Sequence, residues 1–86
     1  MKWKFKKNIV KKVLDGIMVF YNTDNGAFYG LDGALQHFLF EHDEFETNDV
    51  IDYLVQQYQL DYKTAEADAQ ELLMDIAENK IIEALC

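Results

Sequence analysis

The sequence predicts an α+β fold: a small antiparallel sheet of three strands followed by three helices. Three observations lead there. The first third of the chain is rich in β-branched and aromatic residues broken by two turn signals, Asp15-Gly16 and "TDNG" at 23–26. From residue 32 onward apolar residues recur at helical rather than alternate spacing. Two of the helical stretches follow a residue able to cap them, Asp32 and Thr47, and the third starts after Asp61.

The first strand region is 3–14, "WKFKKNIVKKVL". Trp3 and Phe5 share one parity while Lys4 and Lys6 take the other, so the segment reads as one half-buried strand or two short ones. "IMVFYN" at 17–22 is the second strand and 27–31 the third. If Asp24, Asn25 and Gly26 form a three-residue loop with Gly26 left-handed, Tyr21 lies opposite Tyr29 and Val19 opposite Leu31. A tighter Asn25-Gly26 turn would instead pair Phe20 with Leu31. The first register is the preferred one. A one-step slip exchanges the two faces. In the preferred register Tyr29 and Leu31 face the core, and Phe28 is more exposed.

After Asp32, the spacing of Ala34, Leu35, Phe38 and Leu39 gives a first helix. After Thr47, the residues Val50, Ile51, Leu54, Val55 and Tyr58 form one apolar face. Asn48, Asp49 and Asp52 suit the positive end of that helix's dipole. After Asp61, a third helix carries the stripe Ala65, Ala69, Leu72, Leu73 and Ile76. It closes near Asn79, a residue that tolerates a left-handed cap. "IIEAL" then packs back as an extended tail. With 86 residues, no proline, no low-complexity tract and no linker, residues 1–86 read as a single domain.

Charge narrows the function. Six of the eight lysines fall in the first 12 residues; beyond them Lys63 and Lys80 face all 16 acids, a balance of 2 − 16 = −14. Arginine is absent. A phosphate backbone repels such a body, so nucleic acid is not an expected partner. No apolar run reaches the length of a membrane span and no signal-peptide pattern opens the chain, so the expected compartment is cytoplasmic and no membrane partner is expected.

Catalytic side chains are scarce. Serine is absent, and the only cysteine, Cys86, is the last residue. His37 and His42 are five apart around a helix end, whereas a helical metal pair prefers i, i+4. "EHDEFETND" at 41–49 lacks the alternating ligands and central glycine of a calcium loop, and reads as a solvated inter-helix connection. The expectation is a non-enzyme with no catalytic residues, no metal and no cofactor.

The candidate site is a peptide groove. Asp68 and Asp75 lie seven apart on one face of the third helix, flanking the stripe of Ala65, Leu72 and Ile76. If strand 27–31 is the sheet edge, its free amides and carbonyls could accept a further strand from a partner. The same edge would also permit a homodimer.

"FYGLDGALQHFLF", "TNDVIDYLVQQYQLD" and "EADAQELLMDIAENKII" together resemble the PqqD-like family. Its members are RiPP recognition elements: small domains that bind the leader segment of a ribosomally made precursor peptide. The family pattern is Tyr-x-Leu-Asn, a helix with an aromatic, a helix of the form (Thr/Val)-x-x-Ile-x-x-x-Leu-x-x-x-Tyr, and a last helix with an internal Asp. Tyr29-Gly30-Leu31-Asp32 matches the first element with Asp for Asn. Asp49-Val50-Ile51 with Val55 and Tyr58 falls near the helix pattern, and Asp68 matches the internal Asp. The likeness spans roughly residues 16 to 82. Asn79 stands where glycine is usual, and the lysine-rich start is this chain's own.

The resemblance implies a winged-helix-like arrangement, a three-stranded antiparallel sheet packed on three helices. It also implies that a leader peptide adds to the third strand and lies against the third helix. The peptide-binding residues would be Ala27, Phe28, Tyr29, Gly30, Leu31, Asp68, Leu72, Asp75 and Ile76. The expected partners are a precursor peptide and a peptide-modifying enzyme or leader protease. The alternatives are a winged-helix DNA-binding regulator and a small assembly subunit with no peptide groove.

Overall fold

A computed structural model describes residues 1–31 and 35–85. The expected cap at Asp32, with Ala34 and Cys86, lies outside the described residues. The elements run β1 (Lys2–Phe5), β2 (Ile9–Leu14), β3 (Ile17–Asn22), β4 (Phe28–Leu31), α1 (Leu35–Glu41), β5 (Glu44–Glu46), α2 (Thr47–Tyr58), α3 (Tyr62–Glu78) and β6 (Ile82–Leu85). The α+β class and the three helices agree with the sequence reading. The sheet content is larger: there are two antiparallel three-stranded sheets, β2-β3-β4 and β5-β1-β6.

The first sheet is the expected meander, and its hairpin register differs from both alternatives. Met18 lies opposite Leu31, Val19 opposite Gly30, Phe20 opposite Tyr29 and Tyr21 opposite Phe28. The loop is four residues, 23–26, because asparagine side chains stabilise it from within. Asn22 Oδ1 accepts from the Asp24 amide and Asn25 Oδ1 from the Ala27 amide, each at 2.9 Å. Gly26 is left-handed as expected, at φ 73°. Phe20 and Met18 are therefore buried, and Tyr29 joins them at the edge of the core. Phe28 is 65% exposed and stacks on Tyr21, on the outer face, at a centroid distance of 4.8 Å.

The second sheet collects three distant pieces of chain. β1 is its centre, pairing Trp3 with Phe45 on one side and with Ala84 on the other. The acidic 41–49 segment is thus not merely a solvated connection, since β5 buries Phe45 within it. The tail expected from "IIEAL" is β6, with Ile82 in the core. Phe5 joins the two sheets: its ring lies 5.2 Å from Phe20 and 6.2 Å from Phe45. Burial of such rings contributes on the order of 1.5–3 kcal/mol each.

Thr47 starts α2 and is not its cap. Its hydroxyl accepts from the Trp3 indole at 2.9 Å, tying β1 to the helix. The cap position is Glu46, whose amide donates to the Asp49 carboxylate at 2.9 Å. α3 starts after Asp61 as expected; Asp61 takes the N-cap position without a side-chain cap bond, and the Thr64 hydroxyl donates to it at 2.6 Å. That bond, first among the causes, holds the Asp61 carboxyl below the usual range. At the other end, Asn79 has φ −81°, and the left-handed residue is Lys80, at φ 62°. The Asn79 side chain instead donates to the Asp75 carbonyl at 2.8 Å.

Lys11 has a structural role that its neighbours in the basic stretch do not share. Its ammonium donates to the carbonyls of Leu39 (2.9 Å) and His42 (3.2 Å) and to Asp43 (2.9 Å), 4.1 Å from the centroid of the Phe5 ring. A cation here meets the negative end of α1 and satisfies carbonyls left open by the helix. Among the described residues no helix is long and apolar enough to cross a membrane.

Candidate functional site

Among the described residues β4 pairs with β3 alone, so its other side is the edge of the sheet. Which backbone groups face outward follows from the ladder. The Asn22 amide donates to the Ala27 carbonyl at 2.9 Å, so 22 and 27 form a hydrogen-bonded pair. In an antiparallel ladder such pairs recur every second residue. The Ala27 carbonyl and the Tyr29 amide and carbonyl are therefore directed toward β3, while Phe28 and Gly30 turn theirs to the open edge. The Phe28 and Gly30 groups are the ones a further strand would meet. Gly30 leaves that approach unobstructed, and a Cβ there would meet only Ile17 Cγ2 at 3.9 Å.

Helix α3 flanks this edge on the inner side of the sheet. The contact is direct, for the Tyr29 hydroxyl donates to the Asp75 carboxylate. Burial, then the hydrogen bond to Asp75 and its negative charge, push the Tyr29 hydroxyl up from 10.0 to about 12. Along α3 runs an open hollow of about 570 Å³, lined by Asp68, Glu71, Leu72, Met74, Asp75 and Glu78. Leu72 is half-buried and supplies apolar floor, and Met74 is exposed.

The structure thus joins Tyr29 of β4 to Asp75, and Asp75 lines the α3 hollow together with Asp68 and Leu72; Phe28 and Gly30 lie on β4 outside that hollow. Ala27 sits at the start of the strand, exposed. For Leu31 only the backbone position is described. Ile76 must be corrected as a contact residue, because it has no exposed surface at all. It lies about 40° further round the helix than Leu72, toward the core, and supports the hollow from behind. Glu71, Met74 and Glu78 were missed by the sequence reading. The spacing 68, 71, 75, 78 was the available signal, an acidic row parallel to the apolar one.

A second hollow of about 640 Å³ opens between α1 and α2, with His37, His42, Glu41 and Asp52 on its walls and Phe38 and Phe45 at its base. The Phe38 and His42 rings stack at 4.4 Å. Among the described residues no group of three or more ligand side chains is placed to hold a metal ion.

Comparison with known proteins gives the architecture a context. No protein-family model and no curated protein matches the sequence. Solved structures do. TbiB1 in complex with the TbiA(beta) leader peptide superposes with a TM-score of 0.80 at 22% identity, covering 96% of this chain and 98% of that one. The chain shares its fold. Lasso peptide synthetase B1 complexed with the leader peptide gives a TM-score of 0.77, also at 22% identity, over 95% of this chain and 98% of that one. The shared architecture covers nearly the whole chain, which agrees with the fold implied by the PqqD-like resemblance.

Proposed function

We propose that this chain is a non-catalytic recognition module, one domain over 1–86. It would bind the leader segment of a ribosomally made precursor peptide and present it to a modifying enzyme or leader protease. The observation that carries the reading is the open edge of β4 lying beside the α3 hollow. It occurs in a fold shared, over nearly the whole chain, with two proteins solved with leader peptides. An extended peptide would pair with the backbone of Phe28 and Gly30 and turn alternate side chains toward Leu72. Backbone pairing gives affinity without much sequence dependence, and the hollow supplies selection. A second copy of the chain could use the same edge, so dimerisation and peptide binding would compete.

The DNA-binding alternative finds no physical support. α3 carries five acids against Lys63 alone. Such a helix laid on a duplex would be repelled.

The test is a titration with the leader half of a precursor peptide encoded beside this chain, followed by anisotropy of a fluorophore on the peptide. Leu72→Arg fills and charges the hollow. Gly30→Pro removes an amide directed at the open edge, so it costs no bond inside the sheet. Each is expected to weaken binding by about 100-fold, the scale of a binding hot spot. Binding unchanged in both variants would move the site elsewhere. No binding by the folded protein would leave the assembly-subunit alternative.

A further inference from the structure

We infer that the α3 hollow selects cationic peptides: extended segments in which a lysine or arginine stands two residues from an aliphatic side chain. The inference rests on the peptide-binding reading above and names the class of peptide.

Asp68, Glu71, Asp75 and Glu78 follow one another on α3 at spacings of three, four and three. Each neighbouring pair is therefore one turn apart, where like charges destabilise a helix. Asp75 and Glu78 lie toward the C-terminal end, where the helix dipole is already negative, and no basic residue stands in the last turn. The ion pairs among the described residues are Lys4 with Glu83 and Lys11 with Asp43, and neither involves this row. The donors at Asp75, the Tyr29 hydroxyl and the Asn79 amide, are both neutral. All four acids are exposed. Helix stability does not explain Asp68, Glu71 and Glu78, which enter no ion pair among the described residues, whereas Asp75 is held by Tyr29 and Asn79.

The row and the apolar floor share one hollow. Leu72 is half-buried there, and Met74 is 61% exposed. The Tyr29–Asp75 hydrogen bond sets the Asp75 end of this hollow beside β4. A strand added to that edge sends every second side chain inward, about 7 Å apart. Asp68 to Asp75 spans about 10 Å of helix. Two successive inward side chains fit that length. One would rest on Leu72 and Met74, and the next would lie among the carboxylates. A cation placed there relieves the repulsion between them. The acidic surface beyond residue 12 would also attract such a peptide from a distance.

The experiment is selection of short random displayed peptides on the purified full chain, at low and at high salt. The expected result is enrichment of sequences with Lys or Arg two positions from Leu, Ile, Val or Met. A purified peptide of this kind should lose about tenfold in affinity when its cation is replaced by Glu, a change of about 1.4 kcal/mol. The triple variant Asp68→Asn, Glu71→Gln, Glu78→Gln should lose the preference for cations and most of the salt dependence. It should also melt at a higher temperature than the parent, because the repulsion is gone. Selected peptides that depend on Leu72 but show no cationic preference would overturn the inference and spare the peptide-binding reading. A lower melting temperature for the triple variant would overturn it too, by showing that the row supports the fold. An empty selection on the folded protein would overturn both.

Discussion

The two sheets have the same number of strands and opposite construction. β2-β3-β4 is one continuous meander from residue 9 to 31, with an apolar outer face and an open edge. β5-β1-β6 joins residues 2–5, 44–46 and 82–85, and its central strand is tied by side chains as well as by backbone. The meander presents its surface, while the composite sheet fastens the chain. Val13, Leu14, Ile17 and Phe28 are all exposed on or around the meander, whereas Phe45 and Ile82 are buried in the composite sheet. A small domain can keep one sheet available for pairing only if something else holds the fold together.

This contrast can be tested by removing parts of each sheet. The largest effect is expected from Phe20→Ala, which empties the contact between the two sheets; urea unfolding should show a loss of about 3–5 kcal/mol. Ile82→Ala should cost about 2–4 kcal/mol in the same assay. The folded fraction of that variant should still bind peptide at β4, since Ile82 belongs to the other sheet. Lys11→Met keeps the stem and removes the ammonium from the end of α1; a loss of about 2 kcal/mol is expected. Equal stability of Lys11→Met and parent would show that the carbonyls at the end of α1 are satisfied by water.

Tyr29→Phe is a finer test, because it cuts the link between β4 and α3 without altering packing. Its main signature is in pH. The Tyr29 hydroxyl titrates near 12 in the folded chain and near 10.0 unfolded. The folded state therefore holds the proton more tightly between those values. The contribution is fully present below pH 10 and is lost as pH rises toward 12. Parent stability should fall more steeply than that of Tyr29→Phe across this window, as read by denaturation at successive pH values. The smallest effect is expected for Leu14→Lys at the tip of the meander, within about 0.5 kcal/mol. A large loss there would mean that the outer face is not free.

The same division explains what was legible in the sequence. The meander was readable because its turns, Asp15-Gly16 and 23–26, are local. Its register was not, because the loop length depends on where the Asn22 and Asn25 side chains bond. The composite sheet left weaker marks: "IIEAL" read as a tail and "EFE" as part of a loop, since a strand of three or four residues becomes visible only through its partners. On α3 the periodicity placed Asp68, Leu72 and Asp75 on one face, and all three line the same hollow. It misplaced Ile76, which shares Leu72's side of the helix but lies nearer the core. The Tyr29–Asp75 contact spans 46 residues and has no local signal.

The pairing of β1 with β6 also has a consequence in time. Hairpins such as β2-β3 and β3-β4 close short loops and form early. β1 finds one partner, β5, only after some forty residues, and the other, β6, only with residues 82–85. During synthesis the meander would leave the ribosome and pair long before the composite sheet has its last strand. Until then Phe5 and Trp3 lack part of their cover. Each newly made chain therefore passes through a stage in which the open edge of β4 is already formed and the fastening is not. Residues 82–85 complete the fold.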